Sequence, residues 1–169
     1  MKIFRLAPMS SMIRGLTLFL FLLPIAFFAL AASGRSFFVY PAAFVSIIYA
    51  WIWLRFRPTR FVVRPDALEI EWPLKRRAIP RAQISEARII DAKQLRGEIG
   101  WGMRVGAGGM WGGFGWLWTG RGIVQMYVSR TDRFVWIERG GERPWLITPE
   151  RPEEFVRALS ASSAGSARH

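Results

Sequence analysis

The sequence predicts a membrane-anchored α+β protein. An N-terminal transmembrane helical hairpin precedes an antiparallel, seven-stranded curled sheet or partly open barrel, capped by a C-terminal α-helix. Three observations predict this. Two charge-free apolar runs, residues 16–32 and 37–54, are separated only by Ser33-Gly34-Arg35-Ser36. Seven short segments of strand character follow between tight turns. The last segment, opened by Pro149 and Pro152, changes to helical spacing.

The apolar runs come first. At 1.5 Å rise per residue each helix is roughly 25–27 Å long, close to the ~30 Å hydrocarbon core of a bilayer. Gly34 suits a left-handed C-cap, and Ser36 is placed to cap the second helix. Pro24 falls mid-helix, which a membrane helix tolerates with a kink. Tyr40 stands at one expected interface, and Tyr49, Trp51 and Trp53 at the other. Lys2, Arg5 and Arg14 precede the hairpin, Arg55, Arg57, Arg60 and Arg64 follow it, and the loop carries Arg35 alone. The positive-inside bias puts both termini in the cytoplasm and Ser33–Ser36 outside, as in a multi-pass protein of a bacterial inner membrane. The competing reading is a cleaved signal peptide ending near Ala29-Leu30-Ala31; the second spanning run so close behind favours the hairpin.

The domain plan is therefore a cytoplasmic N-terminus (1–15), two membrane helices (16–32 and 37–54), a folded domain (55–160) with a Gly/Trp-rich insertion (92–122), and a disordered tail (161–169). The net charge is +12, with every acidic residue beyond residue 65. From Arg55 onward, 20 basic residues face 12 acidic ones. A basic domain at a membrane face is drawn to anionic headgroups. There is no cysteine, and the one histidine is His169. Thiolate chemistry, disulfides, histidine triads and His- or Cys-ligated metals lose their key residues.

The strands follow in order. Residues 60–64, bounded by Pro58 and Pro65, form the first, and Pro65-Asp66 turns the chain. Leu68, Ile70 and Trp72 alternate with Glu69 and Glu71 in a half-buried second strand. A basic turn, Pro73 to Arg77, leads to a third over 78–80, where Pro80 marks a sheet edge. Residues 84–91 form the fourth. In 123–129, Val124, Met126 and Val128 face one way. Residues 134–139 and 143–148 are joined by Gly140-Gly141, a strong hairpin signal. Glu153 and Glu154 favour the first turn of the final helix, and Phe155, Val156 and Leu159 form its apolar stripe.

These pieces resemble the bacterial pleckstrin-homology-like domains found behind one or two membrane helices. The resemblance is carried by residues 64–70, by Lys75-Arg76-Arg77-Ala78-Ile79-Pro80 leading to Ile84, by the Gly-rich segment 108–115, and by residues 147–156, and it spans roughly 55–160. It implies the fold and is weak about chemistry. Eukaryotic relatives often bind phosphoinositides through basic residues in the loop between their first two strands. Here the corresponding turn is Pro65-Asp66, and the cluster Lys75, Arg76 and Arg77 lies one turn later. Headgroup contact by this cluster stands beside its reading as a solvated turn.

No nucleotide loop is supported. Gly115 and Gly120 have P-loop spacing, but Arg121-Gly122 follow in place of Lys-Ser/Thr. Asp91, Glu98 and Asp132 lack spaced acidic partners, and no serine has a base. The expectation is a non-catalytic protein without cofactor, metal or nucleic acid. Its partners are the bilayer and an unidentified membrane or cytoplasmic protein, with homo-oligomers allowed. The alternative is an accessory subunit of a transporter or envelope assembly that acts through its hairpin.

Residues 92–122 show no regular pattern and hold 11 glycines and four of the nine tryptophans. Two readings stand. The rings fold back to complete the core, or Met110, Trp111, Phe114, Trp116, Leu117 and Trp118 project as a wedge into lipid or a partner groove.

Overall fold

The computed structural model describes residues 1–166. The chain opens with a short strand, β1 (Lys2–Arg5), before the apolar hairpin begins. The hairpin consists of α1 (Ser11–Ala32), a turn of 3-10 helix at Ser36–Phe38, and α2 (Val39–Arg55). Helix α1, and α2 together with the 3-10 turn before it, are long and apolar enough to cross a membrane. Gly34 takes φ +93, the left-handed turn that its lack of a side chain permits. Ser36 does not cap α2; it lies inside the 3-10 turn, and no side chain caps either start.

Beyond the hairpin the chain forms β2 (Arg60–Val63), β3 (Ala67–Glu71), β4 (Arg76–Pro80) and β5 (Ile84–Ile90). Then come α3 (Ala92–Ile99), β6 (Gly102–Gly108), β7 (Gly113–Thr119), β8 (Gly122–Val128), β9 (Phe134–Arg139), β10 (Glu142–Ile147) and α4 (Pro152–Ser166). The strands make two curled sheets. One has the order β1-β2-β3-β4, the other β5-β9-β10-β8-β7-β6. All seven expected strands are present, and β4 is an edge strand as Pro80 required. The described residues hold three more: β1, β6 and β7.

The irregular reading of 92–122 is corrected. The segment is a capped helix and a β-hairpin in full antiparallel register with β8. Asp91 accepts the Gln94 backbone N–H at 2.7 Å, and the Gln94 side chain accepts the Asp91 N–H at 3.0 Å. This reciprocal box starts α3. The glycines hid the strands because they blank the alternation on which strand patterns depend. Two of them permit close approach: a Cβ on Gly106 or Gly115 would meet the facing strand's carbonyl oxygen at 2.4 or 2.5 Å.

The main core lies between the sheets. It gathers Phe61, Leu68, Ile70 and Ile79 from one and Phe114, Tyr127, Val135, Ile137, Trp145 and Ile147 from the other. Helix α4 closes one end. Phe155 is fully buried, edge-on to Phe4 at 5.2 Å and to Phe61 at 6.1 Å, and Leu159 is buried beside it. Val156 is half-buried. A second cluster on the far face of the larger sheet packs Ile90, Leu117, Val124, Met126 and Trp136 under Ile99 of α3. Helix α4 extends to Ser166, into the stretch expected as a tail. Residues 167–169 lie outside the described residues.

Residues 1–15 are likewise not a simple extension. Strand β1 pairs antiparallel with β2, Phe4 opposite Phe61, and the Leu6–Pro149 bridge ties it to the chain before α4. The apolar hairpin is thus an insertion between two neighbouring strands of one sheet.

Candidate functional site

The functional geometry gathers where the domain meets the hairpin. The tight turn joining β6 to β7 seats itself against α1 and α2. Gly109 takes φ +93, Trp111 φ +58 and Gly112 φ +149. The Gly109 N–H donates to the Gly112 carbonyl at 2.9 Å. The Trp111 N–H donates to Thr17 Oγ1 at 2.9 Å, and that hydroxyl donates to the Ile13 carbonyl at 2.8 Å. The Trp111 ring lies edge-on to Phe21 at 5.8 Å and to Trp53 at 4.9 Å, one from each helix. Arg57 stacks over Trp53 at 4.1 Å, and burial lowers its pKa. The tyrosine of α2 that faces α1, Tyr49, donates its hydroxyl to the Leu20 carbonyl at 2.9 Å.

The wedge reading is therefore corrected for four of its six residues. Met110, Trp111, Phe114 and Leu117 are buried. Met110, Trp111 and Phe114 belong to the main core, while Leu117 packs in the second cluster. The tip does insert into an apolar groove, but the groove is this chain's own hairpin. Trp116 and Trp118 remain exposed, 39% and 51% respectively.

Those two rings share the inner face of β7 with Phe114, since side chains alternate along a strand. Near the tip that face is covered; beyond it the four-stranded sheet does not reach. Opposite Trp118 stands Met103, 62% exposed, and opposite Trp116 stands Val105. Trp101, just before β6, is 95% exposed. The stripe flanks β6, which ends the larger sheet and pairs with β7 alone among the described residues. Nothing in the pattern of 92–122 separated Leu117 from its two exposed neighbours; only the strand's alternation does so.

The basic cluster sits on the turn and strand next to α2. The Trp72 indole N–H donates to the Phe56 carbonyl at 3.0 Å, which docks the β3–β4 turn onto the end of the hairpin. Lys75 lies over the Trp72 ring at 4.5 Å. Partial burial lowers its pKa, and the charges of Arg55 and Arg77 lower it further. Arg77 faces inward at the mouth between the sheets. It donates to Gln125 at 2.9 Å and lies 5.2 Å from the Trp145 ring centre, while Arg139 lies 5.1 Å from the same centre. Gln125 in turn donates to the Tyr127 hydroxyl at 2.5 Å, and burial pushes that tyrosine's pKa to about 12. Arg76 points the other way, 3.6 Å from Glu71, which Arg60 also pairs. A cleft of about 1090 Å³ opens on that side, lined by Arg5, Arg60, Glu71, Leu74, Lys75 and Arg76 among others. The three cations thus divide between two openings on either side of β4.

Arg5, Arg55 and Arg57, named from sequence only as charges flanking the hairpin, join this region. The isolated acids take structural posts: Asp91 caps α3, Glu98 pairs with Arg88 at 2.6 Å, and Asp132 pairs with Arg130 at 2.7 Å. Residues 59–163 match a family model described as a bacterial PH domain. No curated protein and no solved structure matches the chain.

Proposed function

The chain belongs to the bacterial PH domain family, and from that premise we propose that it is a non-catalytic, membrane-anchored binding module. The hairpin crosses the inner membrane with both termini in the cytoplasm, as the flanking arginines direct. The domain stands on the hairpin's cytoplasmic end and engages anionic lipid headgroups there.

One observation carries this reading: Lys75 is held against Trp72 between Arg55 and Arg77, so that like charges crowd the place where α2 leaves the bilayer. Such crowding disfavours the charged lysine unless anions neutralise it. Anionic headgroups lie within a Debye length of that position, and each basic residue near such a surface contributes about 1 kcal/mol of attraction. The cleft beside Lys75 and Arg76 leaves room for a headgroup, with Leu74 exposed at its rim.

The test is the thermal unfolding midpoint of the whole protein in nanodiscs. Discs containing phosphatidylglycerol raise it over discs of phosphatidylcholine, and added salt removes the difference. Lys75→Ala with Arg76→Ala removes most of it as well. Equal midpoints in the two lipids would end the headgroup reading.

A further inference from the structure

The geometry points to a second binding surface, for a protein segment in extended conformation that carries acidic and apolar side chains. The segment adds as a strand to the free edge of β6, with its apolar side chains on Met103, Val105, Trp116 and Trp118.

Two independent observations support it. The first is the edge. β6 is seven residues long and contains no proline and a single charge, Arg104. Edge strands of that length are normally shortened, covered or guarded, because their unpaired N–H and C=O groups template strand addition. The second is the apolar stripe. Trp116, Trp118 and Met103 stand exposed on the sheet face beside that edge. Strand addition uses both features together: main-chain hydrogen bonds supply affinity, and alternate side chains fill the adjoining face.

Charge selects the occupant. Residues 92–122 carry Lys93, Arg96, Arg104 and Arg121 against one acid, Glu98, which is paired with Arg88. An acidic segment complements this edge. A second copy of the chain, at +12, is repelled by it. Lipid is disfavoured by direction. The tip of the β6–β7 hairpin is the part seated on α1, and at ~3.3 Å per residue Trp118 stands roughly 17 Å along β7 from it. The choice of protein over lipid thus rests on the membrane-anchored reading above, whereas the free edge does not.

The experiment uses the full-length protein in nanodiscs and a fluorescent peptide of about ten residues alternating valine and glutamate. Anisotropy should show saturable binding below about 1 mM, with a blue shift of tryptophan emission. Replacing the glutamates by lysine abolishes it. N-methylation of one alternate set of peptide nitrogens weakens binding at least about tenfold, and of the other set leaves it intact, because only one set faces the edge. Arg104→Glu and Trp118→Ala each weaken it about tenfold. The N-methylated peptides keep the test sharp should a variant misfold. Absence of saturable binding, equal binding of the glutamate and lysine peptides, or indifference to both methylation patterns overturns the proposal. So does quenching of Trp116 and Trp118 by brominated lipid, which makes the bilayer the occupant. A concentration-dependent dimer dissolved by Trp118→Ala does the same in favour of a second copy. The lipid-dependent unfolding midpoint reports on the headgroup reading separately.

Discussion

Trp111 combines two costly features. A bulky residue at φ +58 is a backbone outlier, and its amide N–H is buried. Such strain of about 1–3 kcal/mol persists only where surroundings over-determine it. Here they do: the Thr17 hydroxyl accepts the N–H, and rings from both helices fix the indole. Thr17→Val keeps the shape of the residue but removes the acceptor. It should destabilise the detergent-solubilised protein by about 1–3 kcal/mol in chemical denaturation, the cost of an orphaned buried donor. Thr17→Ser should retain most of the stability. Equal stability of the valine variant would mean that water reaches the Trp111 N–H.

Among the elements, α4 and β1 depend on each other. The Phe155 ring fills the gap between Phe4 and Phe61, which come from strands on opposite sides of the hairpin insertion. Phe155→Ala removes a fully buried ring from that junction and should cost about 3–5 kcal/mol. A loss below about 0.5 kcal/mol, the range of surface substitutions, would mean that α4 is only loosely docked. The matched family region starts at residue 59 and so omits β1, although Phe4 is part of the core.

At the scale of the whole molecule, hairpin and domain are joined through β1 to α1, through α2 to β2, through the β6–β7 tip and through the β3–β4 turn, where Trp72 bonds Phe56. The tip's groove partners are Thr17, Phe21 and Trp53, all on the hairpin. A fragment of residues 56–166 therefore exposes Met110, Trp111 and the β2 edge at once. It should self-associate in light scattering and show red-shifted tryptophan emission, both reversed by mild detergent. A monodisperse fragment with buried tryptophans would show that the junction adds little to the domain. Function assays are accordingly best made on the intact chain.

The sequence by itself determined whatever is encoded within a few residues. Two charge-free runs define the apolar helices, Gly34 the turn between them, Pro58 and Pro65 the bounds of β2, alternation the strands β3 and β8, and Gly140-Gly141 the β9–β10 hairpin. Pro152 with Glu153 and Glu154 marks the start of α4. Even the missed helix α3 announced itself through Asp91 and Gln94, a box read there as an isolated acid. The bare family resemblance, carried by turn and cap residues, was equally local. Tertiary structure alone decided the rest. Lys2–Arg5 carries too short a pattern to be a strand until Phe61 lies opposite Phe4, nearly 60 residues away. In Gly113–Thr119 three residues are glycine or threonine, so the alternation that buries Leu117 and exposes Trp116 and Trp118 appears only once β8 sets the register. The tip of that hairpin was legible as apolar but not as occupied, because its partner Thr17 is 94 residues distant. Apolarity is a property of the segment; whether water, lipid or the chain's own helix covers it depends on contacts that local pattern does not contain.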